Sequence, residues 1–151
     1  MSHADTIRAY YAAWVADDLE AVFALCTDDL IATNVPIGPI HGKPAVREFF
    51  ARFGKGMTDK RYEVQRVLID GDSAVVEGVE NYLKGGKQVS LPYMSTFLFR
   101  GALIREWRDY FDIQTVLRQR GLPLDGSRPP RDAQDVAAAA AAAMPAAAQV
   151  G

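Results

Sequence analysis

Apolar side chains recur every three to four positions early in the chain and every second position later. Ile7, Tyr10, Tyr11, Trp14 and Val15 share one helical face. Ser2 stands where a helix cap is needed, with Asp5 three residues on as a variant of the capping box. Asp17 and Asp18 end this helix and begin another, whose stripe is Leu19, Val22, Phe23 and Leu25 and whose close is Thr27, Asp28 and Asp29. Leu30 to Asn34 reads as a short strand, which Pro36, Gly38 and Pro39 break into a loop. Gly42-Lys43-Pro44 opens a third helix, since proline suits a first helical turn. Val46, Phe49, Phe50 and Phe53 supply its buried face, and Gly54 is its stop.

Beyond this helix the period becomes two. Tyr62 and Val64, then Val67 and Ile69 after a shift of phase, make one strand. Asp70-Gly71 signals a hairpin into a second strand, Ser73 to Leu83. Gly85-Gly86 marks the next reversal, and Gln88 to Arg100 is a third strand in which Pro92 predicts a bulge or an edge position. Gly101 precedes the fourth, ALIREWRDYFD, from Ala102 to Asp112. Strict alternation puts Leu103, Arg105, Trp107, Asp109 and Phe111 on one face, and Ile104, Glu106, Arg108, Tyr110 and Asp112 on the other. Asp112 to Arg120 reads as a short closing helix with Ile113, Val116 and Leu117 inward. Helices with one short strand among them, followed by a four-strand meander, predict an α+β fold with helices on one face of a curved sheet.

The patterning stops near Leu124. Residues 1–124 are expected to form one domain, and 125–151 a disordered Ala/Pro-rich tail that buries too little apolar surface to offset its ordering entropy. A chain of 151 residues that is 49% apolar and 24% charged suits one soluble globular core. Its net charge of −2 leaves no basic footprint, so nucleic acid is not an expected partner. No stretch approaches the roughly 20 apolar residues that span a bilayer, and no basic leader precedes an apolar run. A cytoplasmic protein without membrane contact is therefore expected. Cys26 is the sole cysteine, which excludes an internal disulfide. Placed after Leu25 on an apolar helix face, it reads as core and not as a nucleophile. His3 and His41 are isolated, and no metal-ligand spacing is present. Neither a metal nor a cofactor is expected.

Two carboxylates stand out against this background. Asp109 lies between Trp107 and Phe111 on one strand face, and an aromatic wall forces a carboxylate to find a partner or a proton. Glu80 follows Ala74, Val76 and Gly78 on the inner face of its strand, with Tyr82 next. A curved sheet can bring both acids into one cavity. Carboxylates ~4 Å apart repel by about 4 kcal/mol at an effective dielectric of ~20, which is about three pKa units. One would then stay protonated as a general acid while the other serves as a base. Asn34, before Val35-Pro36, can orient a water or make a turn. Tyr10, Trp14, Phe49, Phe50, Phe53, Met94, Phe97 and Trp107 can line an apolar cavity or fill the core.

The order of elements, the string NVPIGPIHGKPAVREFF and above all WRDYFD resemble the limonene-1,2-epoxide hydrolase branch of the nuclear transport factor 2-like superfamily. That superfamily also holds SnoaL-like polyketide cyclases and ketosteroid isomerase. The resemblance runs from about Ile7 to Leu122. It implies a cone of curved mixed or antiparallel sheet closed by three N-terminal helices, and a homodimer formed through the sheet. It also implies a small apolar organic substrate and no cofactor. Asp109 matches the base that activates water, Asn34 the asparagine that holds that water, and Glu80 the acid that protonates the epoxide oxygen. Trp107 and Phe111 match substrate-binding walls, and Tyr82 is counted with them. Two positions depart from the pattern: Ala32 replaces a water-holding tyrosine, and Gly78 an arginine that bridges the two carboxylates. Epoxide hydrolysis is the leading expectation. A cyclase or ketosteroid-isomerase-like proton shuttle comes second, and a non-catalytic binding or dimerisation module third.

Overall fold

The computed structural model describes residues 1–122. The chain runs α1 (His3–Val15), α2 (Leu19–Ala24), β1 (Cys26–Asn34), β2 (Gly38–His41), α3 (Lys43–Gly54), β3 (Met57–Asp70), β4 (Ser73–Lys84), β5 (Lys87–Arg100), β6 (Leu103–Phe111) and α4 (Ile113–Gln119). Six strands form one curved sheet in the order β2-β1-β6-β5-β4-β3. The last four strands are the antiparallel meander read from the sequence, and β1 joins it parallel to β6. Helix α1 packs on β3, α3 on β1 and α4 on β5. The expected tail lies outside the described residues.

Local chemistry explains most boundaries. The capping box at Ser2 and Asp5 is complete in both directions. Asp18 caps α2 through Ala21 N–H, and Asp112 caps α4 through Gln114 and Thr115. Pro44 sits in the first turn of α3. Lys84 pairs with Lys87 around Gly85-Gly86, and Asp70 with Ser73 around Gly71. The phase shift in the first long strand is present as register breaks in β3, between Thr58 and Arg61 and between Val64 and Arg66.

Three details differ from the periodicity, and the expectation at Pro92 is met in its edge form. Cys26 and Thr27–Asp29 belong to β1, not to a helix, because α2 stops at Ala24 and Cys26 already pairs with Ile104 of β6. Cys26 is buried in the core all the same. The expected loop over Gly38 and Pro39 is strand β2, whose pairing with β1 places His41 opposite Ile31. Pro92 makes no bulge in the ladder to β4, where it faces Val79. Pairing with β6 begins only at Tyr93, so the proline occupies a local edge. On β6 the alternation is broken. Leu98 pairs with Glu106 but Phe99 with Ile104, so Arg105 is an extra residue in the strand. The bulge turns Ile104 inward, fully buried, on the same side as Trp107.

The core fills the space between helices and sheet. Val89, Leu91, Tyr93, Ser95, Phe97 and Phe99 alternate inward along β5, while Ser90, Pro92 and Met94 face out. His3, which the sequence left isolated, is a fastener. Its ring stacks on Phe99 with centroids 4.1 Å apart. Its two nitrogens lie 3.2 Å and 3.0 Å from the carbonyl oxygens of Gly71 and Gly101, so one side chain at the start of α1 reaches two hairpin turns, the single N–H of either tautomer donating to one of them. His3→Ala is expected to cost about 1–2 kcal/mol, as hydrogen bonds of this kind do, in a urea denaturation series against the parent chain.

Candidate active site

A cavity of about 410 Å³ opens between the inner sheet face and the helices. Its walls are mostly aromatic: Tyr10, Tyr11 and Trp14 come from α1, Phe49, Phe50 and Phe53 from α3, and Tyr62, Tyr82, Tyr93, Trp107 and Phe111 from the sheet. Ile113, Val116 and Leu117 of α4 complete it. Met94 and Phe97 are not part of the wall. Met94 is 44% exposed on the outer face, and Phe97 is buried in the core. Lys60 supports the wall from behind. It is buried, donates to the Trp14 carbonyl at 2.6 Å, and holds its ammonium 4.2 Å from the Trp14 ring centroid.

Asp109, Glu80, Asn34, Trp107, Phe111 and Tyr82 all line this one cavity. Tertiary pairing gives each its place. Parallel pairing of β1 with β6 sets Asn34 directly beside Asp109, and Val35 N–H donates to the Asp109 carbonyl at 2.9 Å. On the other side of Asp109 lies Ser95 of β5, its register partner. Glu80 is on β4, opposite Leu91 of β5. One whole strand thus separates the two acids, and they are out of row.

That separation changes the source of their electrostatics. Burial is the largest cause in both. It pushes the Asp109 carboxyl up to about 8 and that of Glu80 up to about 7. Repulsion from Glu80 adds to Asp109 only behind burial and the opposing hydrogen bond from Ser95. Desolvation by the aromatic wall does the work that the sequence assigned to close like charges. The Glu80 charge is nonetheless felt at Asp109.

Hydrogen bonding distinguishes them. The Tyr11 hydroxyl donates to Ser95 Oγ at 3.1 Å, and Ser95 Oγ donates to Asp109 Oδ1. This chain of donors favours an ionised Asp109. Trp107 Nε1 also holds the Asp109 carboxyl down, from nearby and without a hydrogen bond of normal geometry. Glu80 has weaker support. Tyr62 and the Lys60 charge lower it, but its buried Oε1 has no partner, which suits an oxygen that carries a proton. Burial and the nearby acids lift Tyr10, Tyr11 and Tyr62 well above the usual phenol range, so they stay neutral donors.

The two departures noted in the sequence have structural counterparts. A Cβ on Gly78 would lie 2.3 Å from the Glu63 carbonyl oxygen and 3.0 Å from the Tyr93 hydroxyl. No arginine fits there, because the backbone of β3 and the ring of Tyr93 fill the place. Ala32 is buried beside Trp107, its register partner. Tyr11, Tyr62, Tyr93 and Ser95 were not singled out from the sequence. The one available signal was Ser95, a small hydroxyl in the otherwise apolar inward row of β5. Among the described residues no three His, Cys, Asp or Glu side chains gather as a metal site would require. No helix among them is long and apolar enough to cross a membrane.

Comparison with known proteins fits this geometry. Epoxide hydrolase EphG of Mycobacterium tuberculosis is 25% identical over 112 residues, 74% of this chain and 74% of its own. A Catenulispora acidiphila protein with a ketosteroid isomerase-like fold, solved in complex with trimethylamine, superposes with a TM-score of 0.73 at 24% identity, over 82% of this chain and 97% of that one. An LEH-like epoxide hydrolase from M. tuberculosis superposes with a TM-score of 0.69 at 24% identity, over 79% of this chain and 92% of that one. These two superpositions concern the fold. Residues 7–107, well over half of the chain, match the SnoaL-like domain model, and the chain belongs to the SnoaL-like domain family.

Proposed function

We propose that this protein opens an epoxide on a small apolar substrate by acid–base catalysis, without a cofactor. One observation carries the reading: two desolvated carboxyls with different hydrogen-bond surroundings face a single aromatic cavity. Asp109 accepts a proton from a water that Asn34 orients. The water oxygen bonds to one epoxide carbon as the C–O bond breaks, and Glu80 gives its proton to the departing oxygen. The product is a diol. Asp109 ends with one proton gained and Glu80 with one lost, and that proton must return before the next turnover. Trp107, Phe111 and Tyr82 hold the apolar body of the substrate. The similarity to EphG supports the same reading. We further expect a homodimer, built through the sheet, in the cytoplasm.

Ala32 favours a second reading, a cyclase or proton shuttle. With no tyrosine there, Asn34 alone is assigned to the water, and transfer of a proton or delivery of an internal hydroxyl needs no second water ligand. Enclosure of the acids and their raised pKa values speak against a purely non-catalytic module.

Three outcomes test the proposal. Incubation with cyclic and terpene epoxides in ¹⁸O-labelled water should give a diol carrying one label. Solvent deuterium in recovered substrate or product, without labelled diol, would point to the second reading. Asp109→Asn should cut turnover by a factor of about 10² to 10⁴ while the protein stays folded, and Glu80→Gln should do similar damage. The double variant should be little worse than either, because the pair acts as a unit.

Stability should also follow pH in an unusual direction. The ordinary values are 3.8 for Asp109 and 4.5 for Glu80, and both are raised in the folded chain. The folded state therefore holds more protons than the unfolded state between about pH 4 and pH 8. Their contribution to stability is greatest at the acid end of that window and is lost as pH rises through it. A melting-temperature series should show a shallower decline in Asp109→Asn and Glu80→Gln than in the parent, with both variants more stable than it at pH 8. An unchanged slope would show that neither carboxyl is desolvated as described.

A further inference from the structure

The donor chain behind Asp109 has no counterpart in what the family resemblance implies, where an arginine charge holds the acids. Ser95 is fully buried, and Tyr11 is only 6% exposed. Their hydroxyls run in sequence from α1 to β5 to β6 and end on Asp109 Oδ1. Tyr93 stands behind them. Its hydroxyl is buried over Gly78, close to that of Tyr11, with no hydrogen-bond partner of normal geometry. The bare Gly78 backbone makes this possible, since any side chain there would displace the Tyr93 hydroxyl. The space an arginine would need is thus closed by the β3 backbone and the Tyr93 hydroxyl.

We propose that Ser95 and Tyr11 are positioning residues that hold one oxygen of the Asp109 carboxylate, fix its orientation and favour its ionised form against the burial that opposes it, leaving the other oxygen for proton transfer. The proposal rests on the reading of Asp109 as the base. A hydroxyl chain differs from a cation in one useful way. It stabilises the negative form of Asp109 through directed bonds to one oxygen, and adds no further positive charge beside Glu80 to that of Lys60. The other titratable groups facing Asp109 are Glu80 on β4, Tyr10 on α1, Tyr62 on β3 and Tyr93 on β5; the three tyrosines stay neutral.

The test reads Asp109 directly. Carboxyl ¹³C NMR titration of the full chain, with Asp109→Asn to assign the signal, should show Asp109 binding its proton roughly ten- to a hundredfold more tightly in Ser95→Ala. Tyr11→Phe keeps the ring and removes only the first donor, so it should move the signal the same way by less. It also serves as the second variant if Ser95→Ala folds poorly. An unmoved titration in both variants, or a shift to lower pH, would overturn the proposal, the latter because Ser95 would then be accepting a proton and not donating one. Where an epoxide is turned over, the limb of the pH–rate profile assigned to the base should move up with the NMR titration. A moved titration with no turnover on any epoxide keeps the positioning chain and removes the epoxide reading. Turnover with an unmoved titration does the reverse.

Discussion

Two carboxyl groups lie recessed among aromatic side chains on the inner face of a single sheet, Glu80 buried and Asp109 half-buried, and the site depends on their desolvation. A carboxylate exposed to solvent would titrate near 4 and could not donate a proton at neutral pH. Here the aromatic side chains of α1, α3 and the sheet close over Asp109 and Glu80 and raise both. The same burial raises the neighbouring tyrosines, which keeps them as neutral donors in place of competing acids. One physical cause therefore sets the proton inventory of the whole cavity. Hydrogen bonds then decide where the protons sit.

The frame makes this arrangement durable. Four antiparallel strands give two neighbouring rows of inward positions, and β1 adds a third from the parallel side. The bulge at Arg105 lets one strand serve two purposes: Ile104 fills the deep core, and after the phase correction Trp107, Asp109 and Phe111 face the cavity. Lys60 reaches under α1 to hold the Trp14 carbonyl and ring, so the helix that carries Tyr11 is fixed against β3. Such support matters because a base needs its orientation fixed to within small tolerances, and a loose helix would carry the Tyr11 hydroxyl away from Ser95.

Gly78 shows how one residue type can redirect a site. In the relatives implied by the resemblance, an arginine there bridges the acids. In this chain the β3 backbone approaches to where a Cβ would be, and Tyr93 lies across the gap. A positive charge between two carboxylates would hold both ionised. Neutral hydroxyls do not, and a buried Glu80 with an unpartnered oxygen keeps its proton more readily. Glycine at this position leaves the two carboxyls without a cation from it, which changes the protonation states open to them.

What the sequence by itself determined was local. Helical and alternating periods placed nine of the ten elements close to where they lie, because such periods follow from which face of each segment must be buried. The inward face of β4 identified Glu80, and the WRDYFD strand identified Asp109 between its aromatics. Asp18, Pro44 and Gly85-Gly86 marked starts and reversals through their own backbone chemistry. Only the tertiary structure decided the rest. Cys26 became strand because Ile104 of distant β6 pairs with it, and Gly38 to His41 because β1 folds back on them as a hairpin. Ile104 faces inward because a bulge, set by the register between β5 and β6, broke the alternation. Asn34 meets Asp109 through a parallel pairing between segments far apart in the chain, and Tyr11 meets Ser95 across a helix–sheet contact. Burial, and not the proximity of like charges, lifts the carboxyls, since the distance between them and the wall around them are properties of assembled strands. Periodicity reports which way a side chain points, but the partner it meets there is chosen by the packing of elements far apart in the chain.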